Sequence, residues 1–161
     1  MYLLKIFIIC LTASAVFFVS CKTEGPQSPE EAFDFLKNAY SKSDAGAVEK
    51  IISEKSKAKI AAIIKLFSSM EESQLKALGK KFNVEPGKLK NLSVIDFLSI
   101  QISTEVNNEK DALKDTLKQK LAGVDNKEGK AVVRTENGVE LLFVKENGSW
   151  KFDMEELSSK N

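Results

Sequence analysis

Two Asn-Gly dipeptides, Asn137-Gly138 and Asn147-Gly148, stand ten residues apart near the end of the chain. A two-residue hairpin turn of type I′ needs positive φ at both central residues, which Asn and Gly adopt most readily. After Gly129 the apolar side chains recur at every second position: Ala131 and Val133, then Val139, Leu141 and Phe143, then Trp150, Phe152 and Met154. The pattern predicts a meander of three antiparallel strands with one apolar face, which other elements must cover.

The chain before Gly129 follows the helical period instead. Ser28-Pro29-Glu30-Glu31 is typical of a helix start, with Ser28 as N-cap and Glu31 completing a capping box. The first predicted helix runs from Pro29 to about Ser41, and a second, short helix is capped by Ser43 or Asp44 and runs through Ile52. The pattern stays helical from Ser56 to Phe82, with a break near Ser68 and a capping box at Ser69–Glu72. Two more helices are predicted, one from Ser93 with Asp96 through Ile102 and one from Leu113 through Leu121 to a C-cap at Gly123. Helices followed by strands predict an α+β fold, with the helices on one face of the sheet.

Residues 1–20 have the pattern of an export signal. Lys5 lies near the start, and Ile6–Val19 contains no charged residue. The run ends at Phe18-Val19-Ser20-Cys21, which resembles the lipobox of bacterial lipoproteins. The resemblance implies cleavage after Ser20, diacylglycerol on the Cys21 sulfur and acylation of the new amine. There are two alternatives. One is an uncleaved membrane anchor, because Leu3–Ser20 approaches the roughly 20 apolar residues that span a bilayer. The other is a plain secretory peptide.

Residues 21–28 are expected to form a polar tether between the lipid on Cys21 and a single domain at residues 29–161. Gly25 and Pro26 are residues that favour a flexible or turning chain. At 3.3 to 3.6 Å per residue, such a tether reaches about 25 Å at most. The expected location is the bacterial cell envelope, on the non-cytoplasmic side of a membrane whose lipid layer is the first partner.

The charge of the chain argues against a nucleic-acid partner, and its cysteine content argues against a disulfide within the domain. Lys and Arg number 24 and Asp and Glu 23, so loss of Lys5 with the leader would leave no net charge. A neutral chain with Arg134 as its one arginine does not fit a nucleic-acid partner. Cys10 would leave with the leader and Cys21 would carry lipid, so the domain must depend on its core, for which 43% hydrophobic residues supply the material.

Both ends of the domain resemble the cone-shaped nuclear-transport-factor-2-like superfamily, in particular its small bacterial lipoprotein members. The resemblance lies in the first helix followed by Ala39–Val48, and in Val139–Phe152 with its Gly-Ser-Trp-Lys start of the last strand. It covers about a third of the mature chain. It implies a cone with an enlarged helical middle, and a superfamily that contains both binding modules and enzymes.

The absence of histidine excludes Ser-His-Asp and Cys-His catalysis and His-containing zinc sites. No glycine-rich nucleotide motif occurs, and neither a cofactor nor a metal is expected. Four residues remain as ligand-binding candidates: Tyr40, Asp96, Arg134 and Trp150. Each also has a structural interpretation: core packing for Tyr40 and Trp150, a helix cap with Ser93 for Asp96, and a surface ion pair with Glu136 or Glu140 for Arg134.

The main functional hypothesis is a non-catalytic, membrane-tethered module that holds an envelope protein or a small apolar ligand. One alternative is an enzyme that moves protons on a small apolar substrate, as some members of the superfamily do. Another is a helical interaction protein with only a terminal hairpin. The domain interior separates them: a cavity on which Asp96, Tyr40 and Arg134 converge would favour a ligand or chemistry, and a filled core would favour the outer surface.

Overall fold

The computed structural model describes residues 25–107 and 112–158. Within these ranges the chain forms seven helices followed by four strands, so the predicted α+β class is confirmed. The helices are α1 Pro29–Ser41, α2 Ala45–Ile51, α3 Glu54–Ser68, α4 Glu72–Phe82, α5 Pro86–Leu89, α6 Val94–Asn107 and α7 Ala112–Lys118, and the strands are β1 Leu121–Lys127, β2 Lys130–Thr135, β3 Glu140–Glu146 and β4 Ser149–Ser158. The leader and Cys21 lie outside the described residues.

Side-chain caps fix most helix starts, largely as the sequence predicts. The Ser28 hydroxyl accepts the Glu31 N–H at 3.1 Å, and the Asp44 carboxylate accepts the Ala47 N–H at 2.9 Å. The predicted break after Ser68 is confirmed, since α3 ends there and α4 begins at Glu72. The capping box at this break is formed by Glu71 and Gln74, so the predicted box at Ser69–Glu72 is wrong.

The four strands pair in sequence order, and every pair is antiparallel. Asn147 and Gly148 have φ of 50° and 82°, as a type I′ turn requires, so this prediction is confirmed. At the other dipeptide only Gly138 has positive φ, and the Thr135 N–H reaches Val139 O at 3.1 Å. This hairpin therefore contains a glycine bulge in place of the predicted type I′ turn.

The sequence-based prediction for Leu121–Gly123 is wrong. The helix ends at Lys118, and Leu121 begins the strand β1, so the meander has four strands instead of three. The physical reason is a further tight turn at Glu128-Gly129, with φ of 46° and 79°, which folds β1 onto β2. Pairing with β2 satisfies the backbone N–H and C=O groups of Leu121–Lys127, which a continued helix would have satisfied by its own hydrogen bonds. Gly123 lies beside a bulge in that pairing.

The helices cover one face of the sheet, and the core lies between them. Side chains from α1, α2, α6 and α7 pack against the alternating inner residues of the strands, which are Ala131, Val133, Leu141, Phe143, Trp150 and Phe152. At the open edge of β4, the Ser53 N–H donates to Phe152 O at 2.8 Å, which holds the start of α3 beside the sheet. A second, smaller cluster around Phe67, Leu75 and Leu89 joins α3, α4 and α5.

Gly79→Ala tests the contact between α4 and α5. A Cβ at Gly79 would lie 2.5 Å from Val84 O and 3.2 Å from Pro86 Cγ, so the chain after α4 would have to move. Overpacking of this kind costs about 1–3 kcal/mol, partly offset by the roughly 1 kcal/mol better helix propensity of Ala. Because the 2.5 Å approach is to a backbone atom, the cost is expected at the upper end of this range. The free energy of unfolding, measured by urea denaturation, should then fall by about 2 kcal/mol.

Gly87→Ala is the matched control, because a Cβ there meets no atom within 4 Å. This variant is expected to be as stable as the original chain or slightly more stable. Equal stability of the two variants would contradict the close approach of Val84 to α4.

Candidate functional site

Among the described residues, the side chains between the helices and the sheet are closely packed. Six large side chains that face each other across the helix and sheet layers are each 1% exposed or less: Phe33, Leu36, Val133, Leu141, Phe143 and Phe152. The rings of Phe143 and Phe152 lie 5.5 Å apart, centroid to centroid. A void large enough for a water molecule would leave accessible area on the side chains that line it, so these six enclose no ligand cavity.

The four candidate ligand-binding residues do not converge. Tyr40 on α1 and Trp150 on β4 are 7% and 4% exposed and belong to the main core. Asp96 lies in the first turn of α6, and Arg134 lies on the outer face of the sheet. The structure thus places two of the four in the core and two at separate places on the surface.

Asp96 forms the capping box that its spacing from Ser93 predicts. Its carboxylate accepts the Ser93 N–H at 2.9 Å and the Ser93 hydroxyl at 2.6 Å, while the Asp96 N–H donates to Ser93 Oγ at 3.1 Å. The hydrogen bonds from the Ser93 hydroxyl and backbone lower the pKa of Asp96. A carboxylate that is so readily ionised and so well bonded is a weak base, and its role in this geometry is to start the helix.

Arg134 joins three strands on the outer face of the sheet. Its Nε donates to Glu140 Oε1 at 2.9 Å, as one of the sequence interpretations predicts, and its terminal nitrogen donates to Asp125 Oδ2 at 3.3 Å. These partners, Glu140 first, raise the pKa of Arg134. With two acidic partners, the guanidinium is already neutralised by its own chain.

Several recesses open on the described surface, and one of about 480 Å³ lies on the outer face of the sheet, with Asp125, Lys130 and Leu142 among its lining residues. A groove of about 700 Å³ lies between the α4–α5 segment and α6, with Glu85, Lys88 and Asp96 among its lining residues. A smaller recess of about 310 Å³ lies between α1 and α7, where Lys37, Lys114 and Lys118 surround Tyr40 and Leu117. Beside them, α3 exposes Ile63 and Leu66, which are 39% and 55% accessible. Contacts with other molecules are therefore available on the outside of the domain.

A buried polar group that the sequence reasoning missed joins α3 to β4. Ser56 Oγ accepts the Met154 N–H at 2.9 Å and the Ser53 hydroxyl at 2.9 Å, and it lies 3.4 Å from Asp153 Oδ1. Ser53, Ser56 and Asp153 are 0%, 1% and 4% exposed. The available signal was an acidic residue among the apolar residues of the last strand, at Trp150–Met154. The group fixes the position of a helix, and its three side chains are closed off from a substrate by burial.

The first described residues of the chain lie against the start of β4. Pro26 is buried, and its carbonyl accepts the Trp150 N–H at 2.9 Å. Gly25 has φ of 146°, and a Cβ on it would lie 2.9 Å from the Ser149 Cβ and 4.0 Å from the Lys151 Nζ. Because this φ favours glycine and the space is closed, Gly25 suits this position better than any larger residue.

Charged side chains surround the place where the chain enters the domain. The Lys151 ammonium donates to Lys50 O at 2.7 Å, and the Glu146 carboxylate accepts the Glu54 N–H at 3.1 Å. Burial, followed by the nearby Lys57 ammonium, lowers the pKa of Lys151, and the Glu146 and Glu54 carboxylates act in the opposite direction. The end of α2 and the start of α3 are thus both attached to the β3–β4 hairpin.

Comparison with protein-family models, curated proteins and solved structures finds no match to this chain. Within residues 25–107 and 112–158, no helix is long and apolar enough to cross a membrane. Among the same residues, no group of three or more acidic, His or Cys side chains could hold a metal ion. The features of the described residues that bear on function are the closely packed core, the surface recesses and the entry of the chain at β4.

Proposed function

We propose that this protein is a bacterial lipoprotein that acts as a non-catalytic binding or structural module in the cell envelope. In this proposal acylated Cys21 holds the protein on the non-cytoplasmic side of a membrane. The observation that carries the proposal is the contact of Pro26 with β4, because the folded body then begins within a few residues of Cys21. Two or three acyl chains on one cysteine provide stable attachment, since each buried CH₂ contributes about 0.8 kcal/mol.

The filled interior supports a partner on the outer surface over a ligand inside the domain. A ligand pocket usually has a volume of about 300 Å³ or more, and the six close-packed core side chains enclose no such space. The recess of about 310 Å³ at Tyr40 and Leu117 lies at the edge of the core and is surrounded by three lysines, which do not suit an apolar ligand. The groove beside α6 and the exposed apolar residues of α3 offer contact area instead. An envelope protein is therefore the proposed second partner.

The proposal includes a nuclear-transport-factor-2-like origin for the domain. Two features support it: the Asp44 cap that starts α2 directly after α1, and the closing hairpin at Asn147-Gly148. Between α2 and β1, the described residues form helices and a single bridge at Ile52. In this proposal the enlarged helical middle is the part of the domain that departs from the pattern of the superfamily.

Replacement of Cys21 tests the lipid attachment. Cys21→Ala is expected to abolish incorporation of labelled fatty acid, to leave a precursor of unprocessed mass, and to lose attachment through lipid. The reason is that the thioether and the new amine both depend on this one side chain. Metabolic labelling followed by mass spectrometry of the expressed protein measures all three effects.

Cys10→Ala is the matched control, because it removes the other cysteine of the chain and lies within the leader. It is expected to leave labelling and processing unchanged. Fatty-acid labelling that persists in the Cys21→Ala protein would overturn the proposed function.

A further inference from the structure

The chain enters the domain at one end of the sheet. Pro26 bonds to Trp150, the second residue of β4, directly after the β3–β4 turn at Asn147-Gly148. In a four-stranded meander the first and third turns lie at the same end, so the β1–β2 turn at Glu128-Gly129 is also at this end. The β2–β3 turn, which contains Glu136, lies at the opposite end. We name the first the entry end and the second the far end.

The chain between Cys21 and the entry end is short. Gly25 follows Cys21 by four residues, which span at most about 14 Å even when fully extended. Because Gly25 and Pro26 lie against β4, they add nothing to this reach. The effective tether is therefore about half of the length that residues 21–28 would provide if all of them were free.

The two ends of the sheet differ enough in distance for the short tether to matter. Lys145 lies at the entry end, since it pairs with Trp150 and its N–H donates to Gly129 O at 2.7 Å. Glu136 lies seven residues along β2 from Gly129, which corresponds to about 23 Å at 3.3 Å per residue. A tether of about 14 Å from the lipid holds the entry end near the bilayer and leaves the far end farther away.

The chemistry of the entry end suits an anionic lipid surface. Lys127, Lys130 and Lys145 are exposed around its two turns, and Lys151 lies beside Gly25. Glu128 and Glu146 lie at the same two turns, and Asp125 lines a recess with Lys127 and Lys130. Glu54, whose N–H donates to Glu146, is paired with Lys57, and both lie near Lys151. Five lysines therefore meet four carboxylates at this end, a small excess of positive charge. At the far end Glu140 is paired with Arg134, and exposed Glu136 lies beside exposed Lys120, whose carbonyl accepts the Glu136 N–H. These four groups leave no excess of positive charge there. Each lysine near an anionic membrane surface contributes about 1 kcal/mol.

We propose that the entry end of the sheet faces the membrane and contacts anionic phospholipid headgroups, while the far end and its β2–β3 turn point away from the bilayer. This inference rests on the proposed lipid at Cys21. It deepens the proposed function by assigning which surface meets the membrane. The partner protein would then meet the surfaces that are away from the entry end.

Site-specific fluorescence quenching tests the orientation. The lipidated protein, labelled at Lys145→Cys or at Glu136→Cys, is reconstituted into vesicles of phosphatidylcholine and phosphatidylglycerol that contain a headgroup nitroxide quencher. Both positions are exposed, and the Cys21 sulfur would be blocked by lipid, so the probe attaches only at the new cysteine. The Lys145→Cys probe is expected to be quenched several-fold more strongly than the Glu136→Cys probe.

The outcomes separate the orientation from the lipid attachment. Equal quenching at the two positions in vesicle-bound protein would overturn the orientation, whereas a protein that does not bind vesicles at all would overturn the proposed function. Insertion of about twenty Gly and Ser residues between Cys21 and Gly25 lengthens the tether severalfold and is expected to reduce the difference between the probes.

Neutralisation of lysines tests the headgroup contact separately. Lys127→Gln with Lys130→Gln is expected to weaken quenching of the Lys145→Cys probe, as is high salt, which screens exposed charges. Quenching that both changes leave intact would overturn the contact with anionic headgroups. The matched control is Lys80→Gln with Lys81→Gln on α4, which is expected to have no effect.

Discussion

Leu141→Ala is expected to lower the free energy of unfolding by about 2–5 kcal/mol, the range for a leucine removed from a close-packed core. Leu141 is 0% exposed and faces the helices from the second position of β3. Its neighbours, Val133 and Phe143 among them, are held in place by strands and helices on both sides, so they can fill little of the space left behind. Urea denaturation of the chain without residues 1–20 measures the effect.

Leu142→Ala is the matched control, since it removes the same side chain from the adjacent residue of the same strand. Leu142 is half-buried and lies on the outer face, opposite Val132 of β2. We expect a loss of about 1 kcal/mol or less, in line with surface substitutions. Similar losses at both positions would contradict the assignment of the covered face of the sheet.

Ser56→Ala is expected to lower the free energy of unfolding by about 2–3 kcal/mol, because it leaves buried polar groups without a partner. The Met154 N–H and the Ser53 hydroxyl both donate to Ser56 Oγ, and Asp153 lies beside it. Ser53 and Asp153 are 0% and 4% exposed at the junction of α3 and β4, so solvent cannot readily replace the lost hydroxyl. The Met154 amide should also exchange its hydrogen faster in the variant, because it loses the hydrogen bond that protects it.

Ser68→Ala provides the control within the same helix. The Ser68 hydroxyl donates to Lys65 O at 2.7 Å, but the site is exposed and water can take its place. A change within about 0.5 kcal/mol is expected. If Ser56→Ala proves equally mild, the buried polar group does not fix α3 to the sheet.

The filled core moves the question of function to the outside of the protein. The residues that could have formed a catalytic or ligand-binding cavity have structural partners, as the Asp96 capping box and the Arg134 ion pairs illustrate. In the proposed lipoprotein a short tether would add a constraint on the outside as well, because a surface near the membrane would not be equally available to a partner protein. The entry of the chain beside β4 thus links the fold to the proposed function.

Local patterns predicted the elements whose formation depends on near neighbours. Ser28, Asp44 and the Ser93–Asp96 pair start the helices that they were expected to start, since a cap bonds to an amide only two or three residues away. Asn147-Gly148 forms its turn for the same reason. The alternation of Leu141 and Phe143 with polar or half-exposed neighbours likewise predicted the buried face of β3.

The sequence by itself determined the fold class, the positions of most helix starts and the apolar face of the sheet, because these follow from propensity and periodicity over a few residues. Tertiary structure alone decided that Leu121–Lys127 is a strand, since its apolar residues fit a helix equally well until β2 pairs with it. It also decided that Ser56 and Asp153 meet across 97 positions, and that Pro26 lies on β4. Contacts between distant segments depend on how the layers pack, which no local pattern encodes.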